Sequence, residues 1–109
     1  MPRFFLIASM DIEPDKEDLF NEVYDTEHIP SILKVPGVIN VKRLKSQPMK
    51  MNFGGRLEDI NVSEEPVYTA IYEILGPEVL ETDEWGEAVE AGRWPTEVRP
   101  FTSNRQFAL

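Results

Sequence analysis

The chain has no cysteine and a single histidine, His28, among 109 residues. The first absence removes disulfide frameworks, thiolate metal sites and cysteine nucleophiles together. The second rules out a multi-histidine metal site within one chain. Basic charge is scarce as well, with 11 Lys and Arg against 20 Asp and Glu and a formal net charge of -9. Such a surface offers no field for phosphates, so nucleic acid and anionic membranes are poor partners, and solubility alone accounts for the excess of acid. No apolar run approaches the roughly 20 residues that cross a bilayer. The start, Met1 to Asp11, has a short apolar run, but an acidic cluster follows immediately, so it reads as a strand and not as a secretion signal. A cytoplasmic location is the expectation.

What is present fits one domain, residues 1–109, large enough for a real core but too small to hide a deep pocket within one subunit. A shared site or a dimer is favoured. From Arg3 to Ile12 the residues alternate in period two, with Phe4, Leu6, Ala8, Met10 and Ile12 on one face and Phe5, Ile7 and Ser9 on the other. Both faces are apolar, as in a strand covered on both sides. Pro14 with the acidic turn Asp15, Glu17 and Asp18 starts a helix expected to end near His28, because Pro30 disfavours helical geometry just before it; Ser31 to Lys34 could add one turn. After a turn at Val35-Pro36-Gly37-Val38, a second strand runs to about Lys45 and carries Ile39, Val41 and Arg43 on one face. Residues 48–65 show no convincing period and read as a long loop insertion, a mobile flap or a dimer arm. A third strand spans Pro66 to Leu75. Helix-forming residues follow from Glu78 to Ala91, broken near Thr82-Asp83 and ended by Gly92. A last extended stretch alternates Phe101, Ser103, Arg105 and Phe107 with Thr102, Asn104 and Gln106.

The order β-α-β-β-α-β predicts an α+β fold of the ferredoxin-like kind, a four-stranded antiparallel sheet with both helices on one face. The other face then needs cover. With no element left to supply it, a second copy packed sheet to sheet is the economical solution, and a homodimer is expected.

Acid–base chemistry near neutral pH would centre on Tyr24-Asp25-Thr26-Glu27-His28-Ile29-Pro30. On a helical wheel Leu19, Phe20, Val23 and Tyr24 form an apolar stripe, Glu27 falls near its middle, and His28 lies four residues after Tyr24 on one edge. The plain alternative is a helix end with a hydrogen-bonded histidine and a glutamate reaching for solvent, or paired inside the fold with Arg43.

The stretch Phe20 to Pro30, with Val35-Pro36-Gly37-Val38, Arg43, the strand Tyr68 to Ile74 and the turn at Trp94, resembles the dimeric α+β barrel proteins of the ferredoxin-like fold, and within them the EthD-like group. The resemblance covers nearly the whole chain except 48–65. It implies a pocket between sheet and helices with His28 at or near it. Relatives of that group include cofactor-free monooxygenases, lactone isomerases, polyketide cyclases and dehydratases, haem-handling members and proteins of unknown activity, so the resemblance fixes no reaction. The candidates around such a pocket are His28, Tyr24 and Glu27 for catalysis and Arg43, Tyr72 and Trp94 for substrate binding, with Trp85 assigned to packing. His28 would move the proton, Glu27 or a backbone carbonyl would fix its tautomer, and Tyr24 or Arg43 would stabilise an enolate or phenolate oxygen. No metal and no cofactor is called for. The expected partner is a small molecule, an aromatic, polyketide-like or lactone compound, and a non-catalytic ligand-binding or accessory role is the alternative.

Overall fold

The computed structural model describes residues 3–60 and 65–109. In chain order it contains β1 (Phe4–Ile12), α1 (Glu17–Val23), α2 (Ile29–Leu33), β2 (Val38–Lys45), β3 (Met49–Phe53), β4 (Arg56–Ile60), β5 (Tyr68–Ile74), α3 (Asp83–Val89) and β6 (Thr102–Ala108). Four strands pair antiparallel in the order β2-β5-β1-β6. This α+β architecture is consistent with the expected ferredoxin-like arrangement.

Period-two alternation in the two central strands sets the layers. In β1, Leu6, Ala8 and Met10 are buried, and the register places them against the buried Tyr72, Ala70 and Tyr68 of β5. Phe20, Val23, Tyr24 and Ile32 close over this face from the first helical rod, and Val79, Ala88, Trp94 and Val98 from the second helical region. Opposite Ala8 and Ala70 the sheet carries little side-chain volume, which leaves room above its centre. The other face is bare: Phe5 is 45% exposed and Ile7 39%.

Four expectations change in the structure. The first helix does not stop before Pro30. It passes from α1 through a wide turn at Tyr24–His28, in which the Ile29 N–H reaches back five residues to the Tyr24 carbonyl, and continues as α2. Proline has no N–H to give and crowds the carbonyl four residues earlier, and widening the turn accommodates both effects without ending the rod. The stretch 48–65 is not an irregular loop where it is described. Its strands β3 and β4 form a hairpin whose two-residue turn, Gly54 at φ 63° and Gly55 at φ 96°, has the left-handed backbone that only glycine adopts freely. Positions 61–64 of that stretch lie outside the described residues. Beyond Trp94 the chain stays helical, with a second wide turn at Trp94–Val98 and a 3-10 turn at Arg99–Phe101 before β6. Within β6 the alternation is broken by a bulge between its pairings Ser9↔Gln106 and Asp11↔Ser103. The expected break at Thr82 is present: its hydroxyl accepts the Trp85 N–H at 3.2 Å and caps α3. Among the described residues no helix is long and apolar enough to cross a membrane.

Candidate functional site

The space above Ala8 and its neighbours on the helix side of the sheet is a cavity of about 230 Å³. Its floor is Leu6, Ala8 and Met10 of β1 with Tyr72 of β5, and its walls come from Tyr24 and His28, which begin and end the first wide turn, and from Trp85 and Trp94. Arg99, Arg105 and Phe107 line it from the C-terminal end of the chain.

Among the described residues His28 is the one polar or charged residue in the buried set, at 5% exposure. Its ring stacks on Trp94 with centroids 4.3 Å apart and meets Tyr24 edge to face at 4.9 Å. The Nδ1 atom is sealed from solvent with no hydrogen-bond partner among the described residues. Burial disfavours the imidazolium, and the Arg99 charge adds to the effect, so the pKa is pushed down from 6.5 to about 4. At pH 7 this histidine is neutral, able to accept a proton but holding none in excess.

Beside it the Tyr24 and Tyr72 hydroxyls share a buried hydrogen bond that ties the first rod to β5. Burial raises Tyr24 to about 12 and Tyr72 well above the usual phenol range. Both phenols therefore stay protonated across the neutral range. One proton is used between them, which leaves the other hydroxyl able to donate to an oxygen in the cavity.

No family model and no curated protein matches the sequence. Among solved structures the chain is similar to a crystal structure of an ethyl tert-butyl ether d (EthD) family protein from Bacillus halodurans, with 14% identity, a TM-score of 0.60 and 96% of each chain covered. The fold is EthD-like. At that identity the likeness speaks for architecture alone.

Of the residues singled out from sequence, this EthD-like fold gathers Tyr24, His28, Tyr72 and Trp94 around the cavity. Glu27 and Arg43 do not line it. The wheel sends Glu27 inward, but the wide turn shifts the phase, and its side chain, 26% exposed, leaves the helix toward Arg93. There it accepts the Arg93 backbone N–H at 2.9 Å and Nε–H at 2.6 Å. Gly92, at φ +68°, permits this contact, since a Cβ at that position would stand 2.5 Å from the Glu27 carboxylate. Arg43 faces the helix layer as expected, but beyond Tyr24. Its guanidinium lies 4.6 Å from the Tyr24 ring centroid and donates to Asp25 and Asn21, each at 2.8 Å. Neither Glu27 nor Arg43 touches His28, so Glu27 does not fix the imidazole tautomer.

Among the charged and aromatic residues that line the cavity, sequence reasoning missed four. Trp85, assigned to packing, stands edge-on to Tyr72 at 5.8 Å and also borders the cavity. Arg99, Arg105 and Phe107 are the others. Period two puts Arg105 and Phe107 on one face of the last strand, but which face depends on the bulge, and nothing local in the sequence announces it.

Proposed function

We propose that the chain works in the cytoplasm as a homodimeric small-molecule pocket protein, and that the cavity beside His28 performs acid–base chemistry without a cofactor on an aromatic, polyketide-like or lactone compound. The observation that carries this reading is His28: buried, neutral, lacking a partner at Nδ1 among the described residues, and stacked in an aromatic wall that opens on a cavity. An unpartnered polar group inside a core is costly, and sites of function are where such a cost is retained. His28 accepts a proton from the ligand, while the Tyr24–Tyr72 pair donates to the oxygen on which charge develops. Because the imidazole is a weak base, the proton it removes is an activated one, such as that of a β-dicarbonyl carbon or a phenol.

The test is solvent deuterium incorporation at the activated carbon of an aryl β-dicarbonyl compound, followed by NMR. Wild-type protein should speed exchange and His28→Gln should reduce it by about 100-fold or more. Equal exchange with both proteins removes His28 from the chemistry. Another observation favours a second reading, a non-catalytic binding or accessory protein: Arg99 disfavours the imidazolium and, among the described residues, no carboxylate supports it. Ligand binding without exchange selects that reading.

The bare face at Phe5 and Ile7, with a shallow depression of about 420 Å³ bordered by Lys42, Ile71 and Glu73, supports the homodimer. Light scattering at micromolar concentration should give twice the 12.5 kDa chain mass. An interface above roughly 1,000 Å² is the expected size. A monodisperse monomer would remove this part of the proposal.

A further inference from the structure

The charge at the cavity runs against the charge of the chain. Acids outnumber bases 20 to 11 overall, yet among the described residues the charged side chains lining the cavity are two arginines, Arg99 and Arg105, and no carboxylate. The two are not equivalent. Arg99 is already engaged: its guanidinium pairs with Glu90 at 2.9 Å and donates to the Val89 carbonyl at 2.9 Å. Arg105 forms no ion pair among the described residues.

The backbone of β6 is built to bring Arg105 to this place. At the start of the strand Thr102 pairs with Ile12, and farther on Phe107 pairs with Ala8. Ile12 and Ala8 are on the same face of β1, the helix side, so the inward residues of β6 change from even to odd numbers along the strand. The change is made by the bulge, where Asn104 takes φ 51°, the one positive φ of a non-glycine residue among those described. Its side-chain amide donates to Asp11 at 3.2 Å, and the other oxygen of Asp11 accepts the Val67 N–H at 2.8 Å, tying the bulge to β1 and to the start of β5. Asparagine tolerates this left-handed backbone better than most residues, but it remains an uncommon conformation. Without the extra residue, Asn104 and Gln106 would face the cavity, and Arg105 and Phe107 the opposite side. A bulge that re-aims a side chain is a recurring device beside binding sites.

We propose that the cavity takes a small planar compound bearing a carboxylate at one edge, its apolar body held among Trp85, Trp94, Tyr72 and Phe107 and its carboxylate received by Arg105 at the mouth. This inference rests on the reading that the cavity binds a small molecule. The volume suits a single or fused ring more than a larger scaffold, since pockets for drug-sized ligands start at about 300 Å³. A guanidinium presents a planar fork matched to a carboxylate, and Arg99, held by Glu90, adds positive potential on the same side.

Both tryptophans of the chain, Trp85 and Trp94, line the cavity, so intrinsic fluorescence reports occupancy directly. Benzoate and its neutral counterpart benzamide are titrated against wild type, Arg105→Gln and Arg105→Lys, at low and high salt, with His28 ring resonances followed in parallel. Benzoate should bind wild type about tenfold more tightly than benzamide, and added salt should erode that preference. Arg105→Gln should abolish the preference by weakening benzoate far more than benzamide, while Arg105→Lys retains part of it. Benzoate binding no more tightly than benzamide, or a preference that survives in Arg105→Gln, overturns the carboxylate anchor and leaves the small-molecule pocket standing. If neither compound perturbs the tryptophans or His28, the pocket reading falls and the anchor with it.

Discussion

Glu27 and His28 are consecutive residues, yet they leave one helical rod into opposite environments. Glu27 enters a charged clasp, bonded to the Arg93 backbone and guanidinium, which also reaches Glu22 at 2.9 Å. His28 enters a dry aromatic wall and finds no partner for Nδ1 among the described residues. The clasp satisfies its polar groups and remains partly open to water, which makes it fastening between elements. The wall leaves a polar group unsatisfied at the edge of a cavity, an arrangement that stability alone does not select. Tyr24 stands between the two environments: Arg43 on one side is paired with Asp25, and on the other the phenol meets Tyr72 above the cavity. The proposed function rests on this contrast between the two neighbours.

The largest expected effect comes from opening the wall. Trp94 is 5% exposed and contacts Phe20, Tyr24 and His28 through their rings, so Trp94→Ala should cost about 3 to 5 kcal/mol in denaturant unfolding. A loss below about 1 kcal/mol would mean that the wall is not packed as described.

Next is acid. The imidazole of the unfolded chain takes up its proton near 6.5 and that of the folded chain only near 4, so between those values the unfolded state binds more protons and stability falls as pH is lowered. By pH 4 the loss from this group is on the order of 3 kcal/mol at most. The Glu17 and Glu27 carboxyls, held low by hydrogen bonds from Tyr68 and from Arg93, weaken the fold below their ordinary 4.5. His28→Gln should therefore flatten the stability profile above that value and leave the steeper acid limb in place. An unchanged slope between pH 6.5 and 4.5 in the variant would contradict the dry wall.

A smaller effect is expected at the phenol pair. Tyr24→Phe leaves the buried Tyr72 hydroxyl without its partner and should cost about 1 to 2 kcal/mol, whereas the double variant with Tyr72→Phe should cost less than the sum of the two single changes. Strict additivity would mean that the two hydroxyls are not coupled. Smallest of all, Glu27→Gln loosens an ion pair near the surface and should lower the melting temperature only slightly, with cavity binding and the His28 titration unchanged. Were it to move the His28 pKa, the two sides of the helix would not be separate.

Much of this was legible from side-chain period. The alternation of Phe4 to Ile12 and of Tyr68 to Ile74 encodes the two central strands, and the inward half of each forms the cavity floor or the core around it. Tyr24 and His28 follow from helical spacing, since four residues apart they share an edge whether the intervening turn is regular or wide. Glu27 was misplaced because a wheel at 100° per residue assumes a regular helix, and the turn that widens ahead of Pro30 rotates everything in it. The hairpin was missed because Met49, Met51 and Phe53 alternate for too few residues to stand out beside the acids of β4, although Gly54-Gly55 is a hairpin turn signal. The roles of Arg99 and Arg105 depend on tertiary register: the bulge at Asn104 sets the direction of Arg105, and it exists only against β1.

A pH titration of the single histidine by NMR tests the central claim most directly, because one histidine gives one ring signal with no assignment problem. The account predicts a midpoint near pH 4, with the ring neutral throughout the physiological range. A midpoint at or above 6.5 would place His28 in water or beside a carboxylate, and would contradict the dry, unpartnered imidazole on which the functional reading rests.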